Sequence, residues 1–309
     1  MPFKDFDPSK EYATLAMLKL FTTLVKTFMK KNPCLIFLIC LSSFCSAQNN
    51  SERITDSIVT EGKKLYRSEM ASWTGTDIFL EKYKDQRPNV GGYFSYADND
   101  STKCIFFSKD NVPVVLGTIA FDSTYKATNA TIDTDPRSFN AHENAIYTIR
   151  KLALAEIKTD TMFKMYKNTN YNLIPFVDSG EKKVYILTGP QQNGVVIFGN
   201  DYLLTFDDQN NLVYKKQLHK NIITINYGGT GGQEAAATIH THLPETGDFI
   251  TSTDICTLML YEKYTKWKQH YVISATYVSI WDCEKNTLFA LTRKAWDKIS
   301  KDQEKGHGE

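Results

Sequence analysis

The chain has 309 residues, of which 42% are hydrophobic and 23% charged, and its formal net charge is +1. This composition is typical of a globular protein with a sizeable core. The near-neutral charge lacks the basic excess that binding to nucleic acid or to an anionic membrane surface requires. We therefore expect neither of these partners for the folded part of the chain.

The first 47 residues have the composition of an export signal. Lys30 and Lys31 precede the short apolar run CLIFLICLSSFC, and Ala47 follows it. A positive start, a short apolar run and small residues before a polar segment describe a secretory signal peptide. The run is shorter than the roughly twenty residues of a membrane span. We predict cleavage after Ala47 and an exported protein that is periplasmic, surface-associated or secreted.

Residues 1–28 precede this signal and allow two interpretations. Either Met29 is the true start of the protein, or the leucines and phenylalanines of residues 15–28 form a helix that extends the signal into an anchor. A membrane partner is expected only in the second case, through an uncleaved N-terminal segment.

Residues 48–165 are predicted to form a helical region with a small antiparallel sheet. Apolar residues at helical spacing predict helices over 51–70 and 77–83, the first with Ser51 and Glu52 as its cap. Aromatic and β-branched runs then predict strands at 92–97, 103–108, 112–121 and 123–127. Helical spacing returns over 138–157.

Residues 166–300 are predicted to form a second domain, followed by a polar tail at 301–309. Six strands are predicted in one sheet, at 173–177, 183–189, 195–199, 202–206, 212–216 and 222–227. A glycine-rich loop over 226–234 lacks the Gly-Lys-Ser/Thr of a phosphate loop, so we expect no nucleotide. A buried strand over 235–239, a helix over 251–267, a hairpin of 271–282 with 287–292 and a last helix over 293–301 complete the chain. The predicted fold class is α+β, with antiparallel and mixed sheets and flanking helices.

Cysteine usage does not indicate a disulfide framework. Three of the six cysteines lie in the signal, which leaves Cys104, Cys256 and Cys283 in the mature chain. This number is odd and the spacing is wide, and no CxxC pair is present for a cysteine-based zinc site. Cys256 and Cys283 could lie close together, with buried thiols as the expected state.

The residues that indicate chemistry are two histidines and an aspartate. His240 and His242 are two apart at the end of the predicted strand 235–239, so their side chains should point to one side. Asp254 lies where the next helix begins. Two imidazoles and a carboxylate are ligands that suit zinc, with a fourth position left to water. The sequence therefore predicts a Zn²⁺ site formed by His240, His242 and Asp254.

Each of these residues also has an explanation without metal. Thr251 and Asp254 have the spacing of a capping box, in which the threonine caps the helix and the acidic residue bonds back to it. The two histidines could be polar residues on a half-buried strand. His219 is interpreted as an exposed turn residue, with support of a metal ligand as the alternative, and residues 199–202 are interpreted as a hairpin turn.

The segment 170–295 resembles the JAB1/MPN (JAMM) zinc metalloproteases. In that family a strand ends in His-x-His-Pro, and a loop leads to Ser-x-x-Asp at the start of a helix. The resemblance implies a C-terminal JAMM-like, cytidine-deaminase-like α/β layer. It also implies that His240, His242 and Asp254 bind zinc and that Thr251, in the position of the family's serine, supports an oxyanion. The family's general base is an upstream glutamate.

The chain departs from this pattern in three places. Leu243 separates His242 from Pro244 and lengthens the spacing by one residue, and threonine replaces serine. The upstream glutamate is missing from the strands at 183–189 and 195–199. Glu234 is the nearest in sequence, and Glu143 and Glu156 on the preceding helix are the alternatives.

Two functions follow from these residues. The first is an exported zinc-dependent hydrolase, a peptidase or isopeptidase with a protein or peptide substrate. Its zinc would lower the pKa of a bound water to about 7, and a carboxylate such as that of Glu234 would accept the water's proton. The alternative is a non-catalytic binding or structural protein, envelope-associated or secreted, that keeps the fold. A carboxylate directed into the ligand cluster distinguishes the two.

Overall fold

The computed structural model describes residues 33–178, 180–227 and 235–306, with side chains described from residue 50 to 303 within those ranges. The chain divides into two compact units, Met1–Ile54 and Thr55–Glu309. Among the described residues, no helix combines the length and the apolarity needed to cross a bilayer. The second unit contains the sheets and the candidate site.

The fold is a mixed α+β arrangement, as the sequence predicts. The helices are α1 (Pro33–Lys82), α2 (Ala141–Thr159), α3 (Ser252–Thr265) and α4 (Arg293–Gly306). The first seven strands are β1 (Val90–Asp98), β2 (Ser101–Ser108), β3 (Val115–Phe121), β4 (Thr131–Asp133), β5 (Thr169–Asp178), β6 (Glu181–Pro190) and β7 (Val195–Gly199). The other seven are β8 (Tyr202–Phe206), β9 (Leu212–Gln217), β10 (Ile222–Asn226), β11 (Ala237–Thr241), β12 (Gln269–Ile273), β13 (Tyr277–Asp282) and β14 (Thr287–Thr292).

These strands form four sheets among the described residues. β1-β2-β3-β4 is an antiparallel meander, β5-β6-β8-β9 is a second antiparallel sheet, and β7 pairs with β10 in a two-stranded ribbon. In the fourth sheet, β11-β12-β13-β14, the first pair is parallel and the others are antiparallel. Because parallel neighbours need a crossover connection, α3 links β11 to β12. The single second sheet that we predicted is thus two separate sheets.

Helix α1 corrects the prediction of two helices, since the predicted segments 51–70 and 77–83 belong to one continuous helix. Ser51 is therefore inside α1 rather than its cap. The residues between the two predicted segments include no proline to break the helix. Gly75 allows close packing instead, because a Cβ at this position would lie 3.0 Å from the Cβ and Sγ of Cys104.

Two predicted strands are also wrong in detail. Residues 123–127 form a turn, in which Asp122 accepts a hydrogen bond from the N–H of Thr124 at 2.9 Å and Tyr125 adopts a φ of 52°. The predicted strand 271–282 is divided at Ser274, whose N–H donates to the carbonyl of Tyr277 at 2.9 Å. In both places, short polar side chains favour a turn over continued pairing.

The core around α3 positions the candidate site. This helix is buried along most of its length, which suits its apolar composition. It packs between the β11–β14 sheet and β7 in a cluster that includes Phe198, Ile255, Leu258, Val272 and Trp281. Its opposite side packs against α1 and β6 through Leu65, Tyr185, Leu187, Cys256 and Leu260.

Three cysteines have described side chains, Cys104, Cys256 and Cys283, and all three are buried free thiols, as expected for Cys256 and Cys283. Burial raises the pKa of the Cys104 and Cys283 thiols to about 12 and also raises that of Cys256. Burial therefore favours the thiol over the thiolate at each of these positions.

Candidate metal centre

Four buried side chains converge in the core beside α3. They are His219, His240, His242 and Asp254, and one ligand atom from each lies within 4.8 Å of all the others. Each of these residues is at most 7% exposed. This cluster could hold a metal ion, and it brings together all three ligands predicted from the sequence.

His240 and His242 reach the cluster because of strand alternation. In β11, Ile239 is 56% exposed whereas His240 is buried, and the next buried side chain is that of His242. The N–H of His242 donates to the carbonyl of Ile273 at 2.8 Å, which continues the pairing with β12 past the end of β11. The Nε2 atoms of the two histidines are 3.0 Å apart. The prediction that both imidazoles point to one side is confirmed.

Asp254 is held in place by the start of α3. Thr251 is the N-cap of this helix and forms a capping box with Asp254. Both the N–H and the hydroxyl of Thr251 donate to Oδ2 of Asp254, at 3.0 Å and 2.8 Å. The same oxygen lies 3.4 Å from Nε2 of His242. Thr251 thus donates to the carboxylate that faces the cluster, so the capping role of Asp254 is compatible with a role as a metal ligand.

Helix α1 approaches the first turn of α3 closely at Gly62. A Cβ at this position would lie 2.8 Å from the side chain of Ile255 and 3.0 Å from the carbonyl oxygen of Ser252. These distances leave no room for a side chain without displacing backbone. The glycine therefore sets the position of the turn that carries Asp254.

His219 corrects the sequence prediction, because it is a buried member of the cluster and not an exposed turn residue. Its Nδ1 lies 2.8 Å from Oδ1 of Asp201, and its Nε2 lies 3.1 Å from Nε2 of His242 and 3.4 Å from Oδ2 of Asp254. The hydroxyl of Thr253 also donates to Asp201. Asp201 therefore orients His219 from behind and fixes its Nε2 toward the cluster.

The turn before β8 brings Asp201 to this position. Gly199 has a φ of 79°, and a Cβ there would lie 2.2 Å from the carbonyl oxygen of Asn221. Asn200 also has a positive φ, of 52°. The prediction of a hairpin turn over residues 199–202 is wrong, because β7 pairs with β10 and β8 pairs with β6 and β9, so the turn connects two different sheets. Asp201 accepts a hydrogen bond from the N–H of His219 at 3.0 Å, which ties the turn to the segment after β9.

A fourth buried histidine supports His240. Nε2 of His270 lies 2.8 Å from Nδ1 of His240, and Nδ1 of His270 lies 2.7 Å from the hydroxyl oxygen of Thr238. When His240 and His270 each donate from Nδ1, this series of hydrogen bonds leaves Nε2 of His240 with a free lone pair directed into the cluster. Phe198 stacks on His270 with ring centroids 4.9 Å apart and fixes the ring plane.

The geometry of the four ligand atoms fits a metal ion. Zinc–ligand bonds of about 2.0–2.1 Å in a tetrahedron place the ligand atoms about 3.3 Å apart. In the cluster, imidazole nitrogens are 3.0 and 3.1 Å apart, and these nitrogens lie 3.4 to 3.8 Å from Oδ2 of Asp254. Three imidazole nitrogens at this spacing cannot all bond to one another, whereas a cation at their centre satisfies each lone pair. Among the described residues, the Nδ1 atom of His242 has no hydrogen-bond partner.

The cluster residues strongly shift one another's pKa values. Burial disfavours charge on His219, but the carboxylates of Asp201 and Asp254 outweigh it and hold its pKa well above the usual value. Burial lowers the pKa of His240 to about 4 and that of His270 to about 3. Burial alone would raise the pKa of Asp254, yet the surrounding imidazoles hold it well below its usual range. Asp254 is therefore a carboxylate, the state that metal binding requires.

Neither of the two candidate glutamates that the structure describes is placed to act as the general base of the predicted hydrolase. Glu234 lies outside the described residues. Glu143 accepts hydrogen bonds from Arg137 at 2.7 and 2.8 Å, and Glu156 pairs with Lys215 at 2.6 Å. Both alternative glutamates are therefore engaged by basic side chains and not by the histidine cluster.

Comparison of the chain with protein-family models, with curated protein sequences and with solved structures finds no match in any of the three.

Proposed function

We propose that the protein binds one zinc ion through His219, His240, His242 and Asp254, and that the ion has a structural role. The observation that carries this proposal is the number of ligands. Four protein groups converge on one point, and structural zinc sites are closed by four protein ligands whereas catalytic ones keep a position for water. On this proposal the protein is a non-catalytic binding or structural protein, which is the second of the two functions that the sequence suggests.

The surroundings of the cluster support zinc over harder cations. Mg²⁺ and Ca²⁺ take mainly oxygen ligands and six or more of them, whereas this cluster offers three imidazoles and one carboxylate. Imidazole ligands with an oriented hydrogen-bond partner are typical of zinc sites. His219 has such a partner in Asp201 and His240 has one in His270.

A structural ion here would join parts of the chain that are distant in sequence. His219 follows β9, His240 lies in β11, and Asp254 begins α3. One ion bound to all of them would tie the antiparallel β5-β6-β8-β9 sheet to the β11–β14 sheet. This role suits a protein that is exported, as the sequence of residues 29–47 predicts, because zinc does not depend on the redox state of the compartment.

A zinc hydrolase is the second candidate, and one observation favours it. β11, α3 and the parallel strand β12 carry His-x-His at a strand end and an aspartate at a helix start, in the order of the JAMM family. In that case zinc would supply an activated water and polarise a scissile carbonyl. His219 would have to leave the ion or share it with the water, and Glu234 would have to provide the base.

The test is metal content by plasma mass spectrometry on the purified full chain and on four variants, His219→Ala, His240→Ala, His242→Ala and His142→Ala. We expect about one zinc per chain in the wild type and in His142→Ala, and less than a tenth of this in the other three. His142 is the matched control because it is exposed on α2. Absence of zinc from the wild type after zinc is supplied contradicts the proposal.

The His219→Ala variant separates the two candidates. A structural site loses zinc when any one of four ligands is removed. In a catalytic site of three ligands, His219→Ala retains zinc and leaves a position for water. Zinc retained in this variant together with hydrolysis of a peptide library would favour the hydrolase, and zinc lost from it favours the structural ion.

The predicted export is tested separately, by N-terminal sequencing of the protein recovered from its native cells. We expect the mature chain to begin at Gln48, after Ala47. A mature protein that retains residues 15–47 would instead support the anchor interpretation.

A further inference from the structure

A cleft of about 420 Å³ opens between α1, the β5–β6 pair and α3. Its volume is within the range of small-molecule sites. It is lined by Glu69 and Trp73 of α1, by Asn172 of β5 and by Thr257 and Tyr261 of α3. None of the four cluster residues of the candidate metal centre lines it, so it is a separate feature of the molecule.

The face of α1 toward this cleft is polar where a core face would be apolar. Glu69, Ser72, Trp73, Thr76 and Asp77 all line the cleft. Their spacing of i, i+3, i+4, i+7 and i+8 is that of one helix face, which in a globular protein usually carries the apolar stripe. An acidic and hydroxyl-bearing face at this position indicates a surface adapted to a ligand and not to packing.

Glu69 is buried without a cationic partner. It is 9% exposed, and its one hydrogen-bond donor among the described residues is the amide of Asn172, at 3.0 Å. The residues that line the cleft include no lysine, arginine or histidine. Burial raises the pKa of Glu69 to about 7, and the hydrogen bond from Asn172 offsets this only in part. Charged side chains are rarely buried unless paired, so a positive charge is the group that this carboxyl lacks.

The rest of the wall suits an organic cation in particular. Trp73 is 40% exposed and stacks on Tyr264 with ring centroids 6.1 Å apart, so its position is fixed while one part faces solvent. Tyr93 and Tyr261 also line the cleft, and aromatic faces attract ammonium groups. The hydroxyl of Thr76 is buried, has no hydrogen-bond partner in the described part of the chain and can accept from an N–H. A hydrated metal ion would gain little from these aromatic walls.

We propose that this cleft binds a small organic amine, whose ammonium group is held by the Glu69 carboxylate and whose carbon chain packs along Trp73 and Tyr261. Asp77 lies two helical turns from Glu69, about 12 Å along the axis, and is exposed at the same face. It offers a second anionic group to a diamine. The ligand class is thus a primary monoamine or diamine with an apolar chain.

The test is calorimetric titration of the full chain with hexylamine and with hexamethylenediamine, and with hexanol as a neutral molecule of the same shape. We expect both amines to bind, and hexanol to bind about tenfold more weakly or not at all, because only the amines supply the missing charge. Glu69→Gln keeps the size of the side chain and should weaken amine binding about tenfold or more. Glu81→Gln, at an exposed position of the same helix outside the cleft lining, should leave it unchanged.

Trp73→Ala provides a second variant that does not touch the buried carboxyl. We expect it to weaken both amines severalfold, and cooperative thermal unfolding of each variant shows that it is folded. The proposal is overturned if no amine binds the wild type, if hexanol binds as well as hexylamine, or if Glu69→Gln binds amines unchanged. Displacement of the amines by millimolar Mg²⁺ or Ca²⁺ would also overturn it, since that result assigns the cleft to a metal ion.

Discussion

Two buried carboxyl groups, Asp254 and Glu69, lie near the same helix α3 and have pKa shifts of opposite sign. The pKa of Asp254 is held well below its usual range, and that of Glu69 is raised to about 7. Burial disfavours the charged form of both. The difference lies in their partners, because Asp254 faces three imidazoles and accepts two hydrogen bonds from Thr251, whereas Glu69 accepts one hydrogen bond from an amide.

This comparison distinguishes a complete site from an incomplete one. At Asp254 the chain supplies the carboxylate, the imidazoles and the groups that orient them, so the proposed zinc ion would complete the site. At Glu69 the chain supplies a carboxyl and aromatic walls, and the described residues that line the cleft include no positively charged side chain. A buried charged group without a partner destabilises a fold, and the proposed amine ligand would offset this cost at Glu69.

The largest expected effect is that of zinc removal. A ligand present at about a thousand times its dissociation constant stabilises a folded protein by about 4 kcal/mol. We therefore expect a chelator to lower the free energy of unfolding of the full chain by about this amount, as measured by urea denaturation. In Asp254→Asn, the chelator should have no effect. Equal unfolding curves for the wild type with and without chelator would contradict a structural ion.

The next effect concerns the histidine that supports His240 from behind. His270→Phe fills a similar volume beside Phe198 but removes the bond to Nδ1 of His240. Loss of such a supporting bond typically reduces metal affinity by about ten- to a hundredfold. Competition with a chromogenic zinc chelator measures this change, and His142→Phe on α2 is the control. Unchanged affinity in His270→Phe would show that His240 is oriented by the strand alone.

A pH titration of stability tests the other carboxyl. Glu69 binds its proton more tightly in the folded state, at a pKa of about 7 against 4.5 unfolded. The unfolded state therefore releases the proton first, and stability falls as pH rises from about 4.5 through 7. This fall amounts to up to about 3 kcal/mol. The ionisable neighbours of Glu69 stay protonated over this window, because the pKa values of Tyr93, Tyr261 and Cys104 are raised to about 12 and that of Cys256 is also raised.

The measurement compares urea unfolding of the wild type and Glu69→Gln at pH 5 and at pH 8 (roughly the two sides of the window). The glutamine stays neutral, so the variant should lack this component of the fall and should be the more stable protein at the higher pH. Parallel pH profiles of the two proteins would show that Glu69 is not perturbed. An amine ligand should reduce the fall in the wild type alone.

The smallest effect is expected at Thr251. Removing an N-cap hydroxyl costs about 1 kcal/mol, so Thr251→Ala should lower the free energy of unfolding by about this amount and Thr251→Ser should restore most of it. Zinc content should stay at about one per chain in both variants. If Thr251→Ala keeps its stability and loses a measurable hydrolytic activity, the threonine has the role of the oxyanion-supporting residue and not that of a cap.

The sequence was sufficient for the part of the site that depends on local geometry. Strand alternation correctly predicts that His240 and His242 share a side, and helix-capping chemistry correctly predicts Asp254 at the start of α3. These relations extend over two to four residues, where backbone geometry alone determines which side chains are neighbours. The α+β class followed from the same kind of local pattern.

The ligand His219 and its partner Asp201 could not be found in this way. They are joined by contacts between a turn and the segment after β9, and nothing in the local pattern near either residue indicates the other. The residues around His219 therefore predicted an exposed turn. The cleft face of α1 could not be found either, because residues 71–76 were predicted to lie between two helices. The helical spacing from Glu69 to Asp77 follows only from the continuous helix in the structure.

The parallel pairing of β11 with β12 has a consequence for the order of folding. Ala237 pairs with Gln269, and the whole of α3 lies between these two residues in the sequence. Non-local pairings of this kind form slowly because loop closure must precede them. His219, His240 and Asp254 lie in three separate parts of the chain, so we expect high metal affinity to arise late in refolding, after these parts have packed together. Zinc would then lower the unfolding rate of the native chain and leave the rates of the early folding steps unchanged.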